Sequence, residues 1–397
     1  MLTPRLVLSR RVTAALDASP SRIPVLLGGC GTGRSTVLQQ LRDRIGRTSA
    51  QFIDVERIAT TPERFLRAAT AASPFPVVVS GGNDGTRAAF DRAVEFFTGA
   101  RTAAGEPAAF LLDEFLELRT FESFPGLRRV LRDFADAIAA SANRFVLTSR
   151  YTARALRLLR DLPSRFEVIH VPGMTLEDVV DVLAPLHATR AGNDGEYLAR
   201  TVLALTDGRP TYVRSMAAEL AELAAGERTN SGAPPHDPIS ALSALLAPAG
   251  RVAQQCGHCY ELRLHRARGY GALKAILEIL AEEEGLTLTE ISHRMQRTPG
   301  STKDYLSWLE DVDLVASNQK RYSFVDPLLR VWVRLHCRAT APTDDELARE
   351  VHRYALPRLP ASNGPKSEPP QSAPQNEPAF AMAGGGAASS GGIIEID

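Results

Sequence analysis

Residues Val25 to Thr36, Val-Leu-Leu-Gly-Gly-Cys-Gly-Thr-Gly-Arg-Ser-Thr, leave the backbone few courses. The apolar Val25-Leu26-Leu27 reads as a buried strand, the glycines as a tight turn, and Arg34-Ser35-Thr36 as the first turn of a helix. The spacing fits the phosphate-binding loop G-x-x-x-x-G-K-[ST], with one departure: Arg34 stands where lysine belongs. Glycines let successive backbone N–H groups curl round an anion, and the helix N-terminus adds its dipole. The candidate nucleotide-binding set is therefore Gly28, Gly29, Cys30, Gly31, Thr32, Gly33, Arg34, Ser35 and Thr36, with Ser35 placed to reach Mg²⁺. A ligand-free glycine turn is the alternative, and it leaves the Ser-Thr pair behind five small residues unexplained.

A second stretch supports the first. Ala108-Ala109-Phe110-Leu111-Leu112-Asp113-Glu114 is an apolar run ending in two acids, the pattern of a strand buried on both faces of a parallel sheet. It follows the glycine loop by about 80 residues. In a phosphate-loop enzyme the first carboxylate, Asp113, holds the Mg²⁺ shell, and the second, Glu114, polarises the attacking water. Further strands are expected at Arg22–Leu27, Gln51–Val55, Pro76–Ser80, Arg144–Arg150 and Phe166–Val171. Ligands sit at the carboxyl ends of such strands, which directs Thr148 or Ser149 toward the γ-phosphate. Arg150 is either a phosphate sensor or a salt-bridge partner. Leu6–Leu8 reads as an edge strand, and Phe124–Ala140 as one long helix whose arginines form a solvated face.

From about residue 173 the pattern turns helical. Thr175-Leu176-Glu177-Asp178 has the spacing of a capping box. Helices are expected at Glu196–Leu205, at Tyr212–Leu223 after the break Gly208-Arg209-Pro210, and from Ile239 to about His265. Residues 227–237 form a polar loop between them, with two adjacent prolines. Residues 271–326 read as helix, helix, helix, hairpin, a winged-helix layout, with the third helix capped at Ser301. That helix carries Asp304, Glu310 and Asp311 against Lys303, the wrong sign for phosphate, while the hairpin tip has Lys320 and Arg321. Asp326 to Leu335 is a last amphipathic helix. From Pro357 the chain is rich in Pro, Ser, Ala, Gly and Gln and is expected to be disordered.

Composition excludes some classes. The 397 residues suffice for two or three domains. Lys plus Arg equals Asp plus Glu at 46 each, which argues against a mainly electrostatic nucleic-acid binder. The first residues lack the apolar core of a secretion signal, and no uncharged apolar run has membrane-spanning length. Four scattered cysteines make no disulfide framework, so a cytoplasmic setting is expected. Cys256-x-x-Cys259 has redox-pair spacing but lies in a helical stretch, where packing is the simpler reading. A thiol at a helix N-terminus has a lowered pKa, so oxidation of Cys30 could block the loop.

With these motifs in order, residues 5–336 resemble the AAA+-like P-loop ATPases of the STAND and archaeal-type group. The resemblance is narrowed by Gly208-Arg209-Pro210 and by Asp326-Pro327-Leu328-Leu329-Arg330-Val331-Trp332. It implies a Walker A motif at Gly28–Thr36, Walker B at Leu111–Glu114, sensor 1 at Thr148 or Ser149, and a nucleotide-facing Gly208 and Pro210. The implied catalytic set is Glu114, Arg34 and Ser149, the metal set Ser35 and Asp113, and the cofactors ATP and Mg²⁺. The family has lysine at the Arg34 position, and a planar guanidinium is not equivalent to a compact ammonium there.

The resulting expectation is an α/β P-loop core at residues 1–172, a helical lid at 173–268, a winged helix at 269–340 and a disordered tail at 357–397. The expected function is an ATP-binding, ATP-hydrolysing switch that works through a protein partner or self-association. A non-hydrolysing nucleotide-binding scaffold and a DNA-binding regulator using the winged helix remain as alternatives.

Overall fold

A computed structural model describes residues 6–76, 85–187, 194–226, 237–265 and 269–360. Most of the strand expected at Pro76–Ser80, the loop at 227–236 and the tail from 361 lie outside the described residues.

The chain opens with helix α1 (Leu6–Leu16), so Leu6–Leu8 are helical rather than an edge strand. Strand β1 (Ile23–Leu27) and helix α2 (Arg34–Ile45) flank the glycine loop, and β2 (Ala50–Asp54) follows. Helices α3 (Val55–Ile58), α4 (Pro62–Ala71) and α5 (Thr86–Gly99) lead to β3 (Ala109–Asp113). A 3₁₀ segment at Phe115–Ser123 precedes α6 (Val130–Ala140), so the expected helix at Phe124 starts later, beyond Gly126 with its φ of +80°. Strand β4 (Arg144–Ser149), α7 (Thr152–Leu159) and β5 (Phe166–His170) complete this part.

The strands form a five-stranded parallel sheet in the order β2-β3-β4-β1-β5. Strands β1 and β3 are buried along their whole length because helices cover both faces. Alternation along each strand divides the core. Val25, Leu27, Phe110, Leu112, Phe145 and Leu147 face the side of α4, α5 and α6, where Phe97 packs edge-on to Phe110 at 4.9 Å. Leu26, Leu111, Val146 and Ile169 face Val37, Leu38 and Leu41 of α2 and Leu8, Val12 and Leu16 of α1. The loop thus leaves an interior strand, with β4 on one side and the edge strand β5 on the other.

A helical region follows: α8 (Leu176–His187), α9 (Asp194–Thr206), α10 (Pro210–Gly226), α11 (Pro238–Leu246) and α12 (Arg251–His265). Thr175 and Asp178 exchange the reciprocal bonds of a capping box at the start of α8. The single helix expected over 239–265 is two, since the chain breaks at Ala247–Gly250. Then come α13 (Tyr270–Glu282), β6 (Leu286–Thr287), α14 (Leu288–Arg294), α15 (Pro299–Asp311), β7 (Val315–Asn318) and β8 (Arg321–Phe324). The three short strands form an antiparallel sheet in the order β6-β8-β7. Helix α15 is capped by Thr298, whose Oγ1 accepts from Ser301 N–H at 3.4 Å, with Pro299 in its first turn; Ser301 is not the cap. Helix α16 (Pro327–His336) is capped by Asp326.

One further helix, α17 (Asp344–Ala355), was not expected. A capping box between Thr343 and Glu346 starts it, and Leu347, Val351 and Tyr354 bury its apolar face. The chain stays ordered through a 3₁₀ turn at Leu356–Arg358, past the point where disorder was expected to begin.

Candidate nucleotide site

The glycine loop is held in a shape few other residues could adopt. Gly31 and Gly33 have φ of +77° and +84°, where a side chain is strained. A Cβ on Gly28 would stand 2.9 Å from Thr32 Oγ1, and that hydroxyl donates to Gly29 O at 2.9 Å. Gly28 N–H donates to Ser149 O of β4 at 3.4 Å. Ser35 is exposed in the first turn of α2.

Arg34 is buried at the start of α2, with its Nη2 2.8 Å from Glu114 Oε1. Its Nε and Nη1 are also buried and have no hydrogen-bond partner. Buried donors are nearly always satisfied, so two orphan donors beside a glycine cradle fit an anion bound at this point. The loop and Arg34 therefore suit a phosphate group. A magnesium ion would rest on Ser35 and Asp113, with phosphate supplying further oxygens. Among the described residues no cluster of His, Cys, Asp and Glu could hold a metal unaided.

The acid pair lies beside Arg34. Asp113 ends β3, and Thr148 Oγ1 donates to its Oδ1 at 2.5 Å. The same hydroxyl accepts from Glu114 N–H at 3.1 Å. Thr148 is thus the hydroxyl at the acid pair, while Ser149 Oγ is turned away and accepts from Tyr151 N–H at 3.0 Å. Glu114 has φ +54°, a left-handed conformation costing of order 1–3 kcal/mol in a non-glycine residue. Two arginines hold its carboxylate. Arg34 and Arg150 Nε both face Oε1, the latter at 3.2 Å, and Arg150 N–H donates to Oε2 at 3.0 Å. Burial raises the Glu114 pKa, and the two guanidinium groups work against it. Arg150 also pairs with Glu56, which settles it as a salt-bridge residue in this conformation.

Residues from the helical region close over the loop. Thr211 donates to Gly31 O from both its N–H, at 3.3 Å, and its Oγ1, at 3.1 Å. Pro210 lies against Gly33. Arg209 Nη1 is 3.0 Å from Asp326 Oδ2 and also donates to Cys30 O at 3.5 Å, while Nη2 donates to Val325 O at 2.8 Å. Arg263 of α12 donates from Nη1 to Asp313 O at 2.9 Å and from Nη2 to Cys30 Sγ at 3.3 Å. The Asp313 carboxylate in turn accepts from the N–H groups of Thr152 and Ala153 at the start of α7. A cavity of about 20 Å³ remains between Gly33, Thr36, Gln40, Met174, Pro210 and Arg214. That is room for one water.

The sequence singled out Gly208 and Pro210 around Arg209, but not Arg209 itself, and it gave no role to Arg263 or Asp313. Arg209 lay in plain view inside the Gly-x-Pro motif. No local pattern distinguishes Arg263 or Asp313 from surface charges.

No family model matches the sequence, and no curated protein matches it. Solved structures do. A Walker-type ATPase of Pyrococcus abyssi superposes with a TM-score of 0.59 at 17% identity, covering 84% of this chain and 96% of the other. The Orc1 protein of Aeropyrum pernix, solved with DNA, gives 0.42 at 17% identity over 90% of this chain and 94% of that one. The RuvB branch-migration motor of Thermotoga maritima gives 0.40 at 13% identity over 81% and 92%. The first of these, together with the sheet order and the loop, gives the chain the fold of that Walker-type ATPase. Among the described residues no helix is long and apolar enough to cross a membrane.

Proposed function

We propose that this chain binds ATP with Mg²⁺ on the loop Gly28–Thr36 and acts as a nucleotide-dependent switch. The observation that carries the reading is Arg34: a buried guanidinium on a glycine cradle with two donor nitrogens unpaired. Phosphate would take those donors and the loop N–H groups. Ser35 and Asp113 would hold the metal shell, and Glu114 would orient water once released from the arginines. Ser149, at the carboxyl end of β4, would act through its carbonyl, which accepts Gly28 N–H and holds the start of the loop. The contacts that Arg209, Pro210 and Thr211 make on the loop support a switching role, because they couple the helical region to the residues that would hold phosphate. The unit built from α13–α15 and the β6-β8-β7 sheet is read as a winged helix that moves with the lid. It would transmit the nucleotide state to a protein partner or a second copy.

A binding protein without turnover is the second reading, favoured by the grip of Arg34 and Arg150 on Glu114. DNA contact through the exposed hairpin tip at Lys320 and Arg321 is the third. Nucleotide titration and Mg²⁺-dependent phosphate release, with wild type beside Glu114→Gln and Arg34→Ala, separate the first two. Turnover lost in E114Q while binding persists establishes an ATPase, whereas binding without turnover in wild type leaves a scaffold. A DNA mobility shift that weakens with salt is the mark of the third.

A further inference from the structure

The Cys256-x-x-Cys259 spacing points to the wrong partner. Three residues apart on α12, the two thiols have separate surroundings. Cys256 is fully buried, with its Sγ 3.4 Å from Tyr212 OH. Cys259 is only partly buried and lies between Gln255 and Arg263 on one face of α12, the face that meets the glycine loop: a Cβ on Gly31 would stand 3.2 Å from Gln255 Nε2, and Arg263 reaches the Cys30 sulfur. Cys30 is itself only partly buried, and Arg263 Nη2 sits on its sulfur at 3.3 Å. Two thiols from elements far apart in sequence therefore lie where the loop and α12 meet at the mouth of the candidate site, with a guanidinium beside one of them.

We propose that Cys30 and Cys259 are a redox-sensitive pair, and that hydrogen peroxide joins them in a disulfide tying the glycine loop to α12. The neighbouring Cys259 thiol holds the Cys30 pKa below the ordinary thiol value, and the positive charges of Arg263, Arg150 and Arg34 lower it further against burial. The Cys259 pKa is raised by the neighbouring Cys30 and by burial, so Cys30 is the attacking thiolate and Cys259 the resolving thiol. The Cys30 thiolate displaces hydroxide from peroxide and becomes a sulfenic acid. Cys259 sulfur then attacks the Cys30 sulfur, its proton leaves with the departing oxygen, and water is released. In sum two thiols and one peroxide give one disulfide and two waters, and a dithiol reverses the change.

The functional consequence rests on the nucleotide reading above. A covalent link from the loop to α12 would hold the lid over the loop and keep a nucleotide out.

The test uses the full chain. It is treated with hydrogen peroxide, alkylated, digested without reductant, and its peptides are mapped by mass. In parallel, binding of an ATP analogue is titrated before oxidation, after oxidation, and after dithiothreitol. The expected product is a Cys30–Cys259 linked peptide, absent in Cys259→Ser and present in Cys256→Ser. Apparent affinity should fall at least about tenfold on oxidation, as the open population shrinks, and return with dithiothreitol. Cys259→Ser should bind like reduced wild type and lose the reversible loss of affinity. A Cys256–Cys259 peptide, no linked peptide, or a Cys30–Cys259 link that leaves binding unchanged would overturn the proposal. If reduced wild type binds no nucleotide, the nucleotide reading fails, and peptide mapping alone decides the thiol pair.

Discussion

Asp326 Oδ2 lies 3.0 Å from Arg209 Nη1, joining the start of α16 to the turn before α10 that touches the glycine loop. The same carboxylate accepts from Tyr212 OH at 2.8 Å and from the N–H groups of Leu328 and Leu329 at 3.1 and 3.3 Å. One acid thus serves as helix cap, ion-pair partner and link between two motifs that lie far apart along the chain.

Asp326→Ala should therefore be among the most damaging single changes. It uncaps α16 and leaves Arg209, itself buried, with only the exposed Asp207 carboxylate at 4.0 Å. Breaking one side of a buried ion pair costs about 3–5 kcal/mol. Asp326→Asn keeps an oxygen for the cap and should lose less. Urea denaturation of both variants against wild type checks the order, and equal stability of D326A and wild type would refute it.

Arg34→Met should act on binding more than on stability. Glu114 keeps Arg150 after the change, so its charge stays compensated. Phosphate loses charge-assisted hydrogen bonds worth about 1.5–3 kcal/mol, which corresponds to roughly 10- to 150-fold in affinity. Arg34→Lys should recover most of that loss, since an ammonium also reaches phosphate at this position. Calorimetric titration with ATP and Mg²⁺ measures both.

Asp313 should give the contact between α7 and the α15–β7 turn a pH dependence. Burial raises its pKa to about 6, against the Thr152 and Ala153 N–H groups and the charges of Arg263 and Arg34. A carboxyl with a raised folded-state pKa binds its proton more tightly in the folded chain. Its contribution is therefore fully present below the unfolded value of 3.8 and is lost as pH rises through about 6. Wild type should gain stability relative to Asp313→Asn on going from pH 7 to pH 4, by at most about 3 kcal/mol. Paired thermal melts across that range give the difference directly. A constant difference would mean that Asp313 titrates normally.

Gly208→Ala should destabilise the turn between α9 and α10. Its φ is +61°, and a Cβ there would lie 2.9 Å from Met174 O. The left-handed conformation alone costs about 1–2 kcal/mol, and the backbone contact adds to it. Loss of hydrogen-exchange protection at Met174, whose N–H donates to Gly208 O at 2.6 Å, would report the change locally.

Much of the architecture was legible along the chain, and the reasons are local. The strand, glycine loop and helix at Val25–Ile45 follow from apolar run, left-handed glycines and helix start within a few residues of one another. The cap at Thr175 is likewise a short-range pair of hydrogen bonds that a side chain and backbone make within their own neighbourhood. Helix α17 carried the same signal at Thr343 and Glu346, but its mostly polar sequence near a proline-rich end concealed it.

The contacts that close the site were not legible in this way. Arg263 on Cys30, Arg209 on Asp326 and Asp313 at α7 each join residues more than a hundred positions apart, and nothing around those charges distinguishes them from solvated ones. Thr148 and Ser149 were equal candidates until the pleat of β4 turned one hydroxyl toward Asp113 and the other toward Tyr151. The loop and its acids were thus present in the order of residues, because backbone conformation and capping act over a few positions. Which charges guard them depended on how helices from distant parts of the chain bury their apolar faces, and only the packed structure decides that.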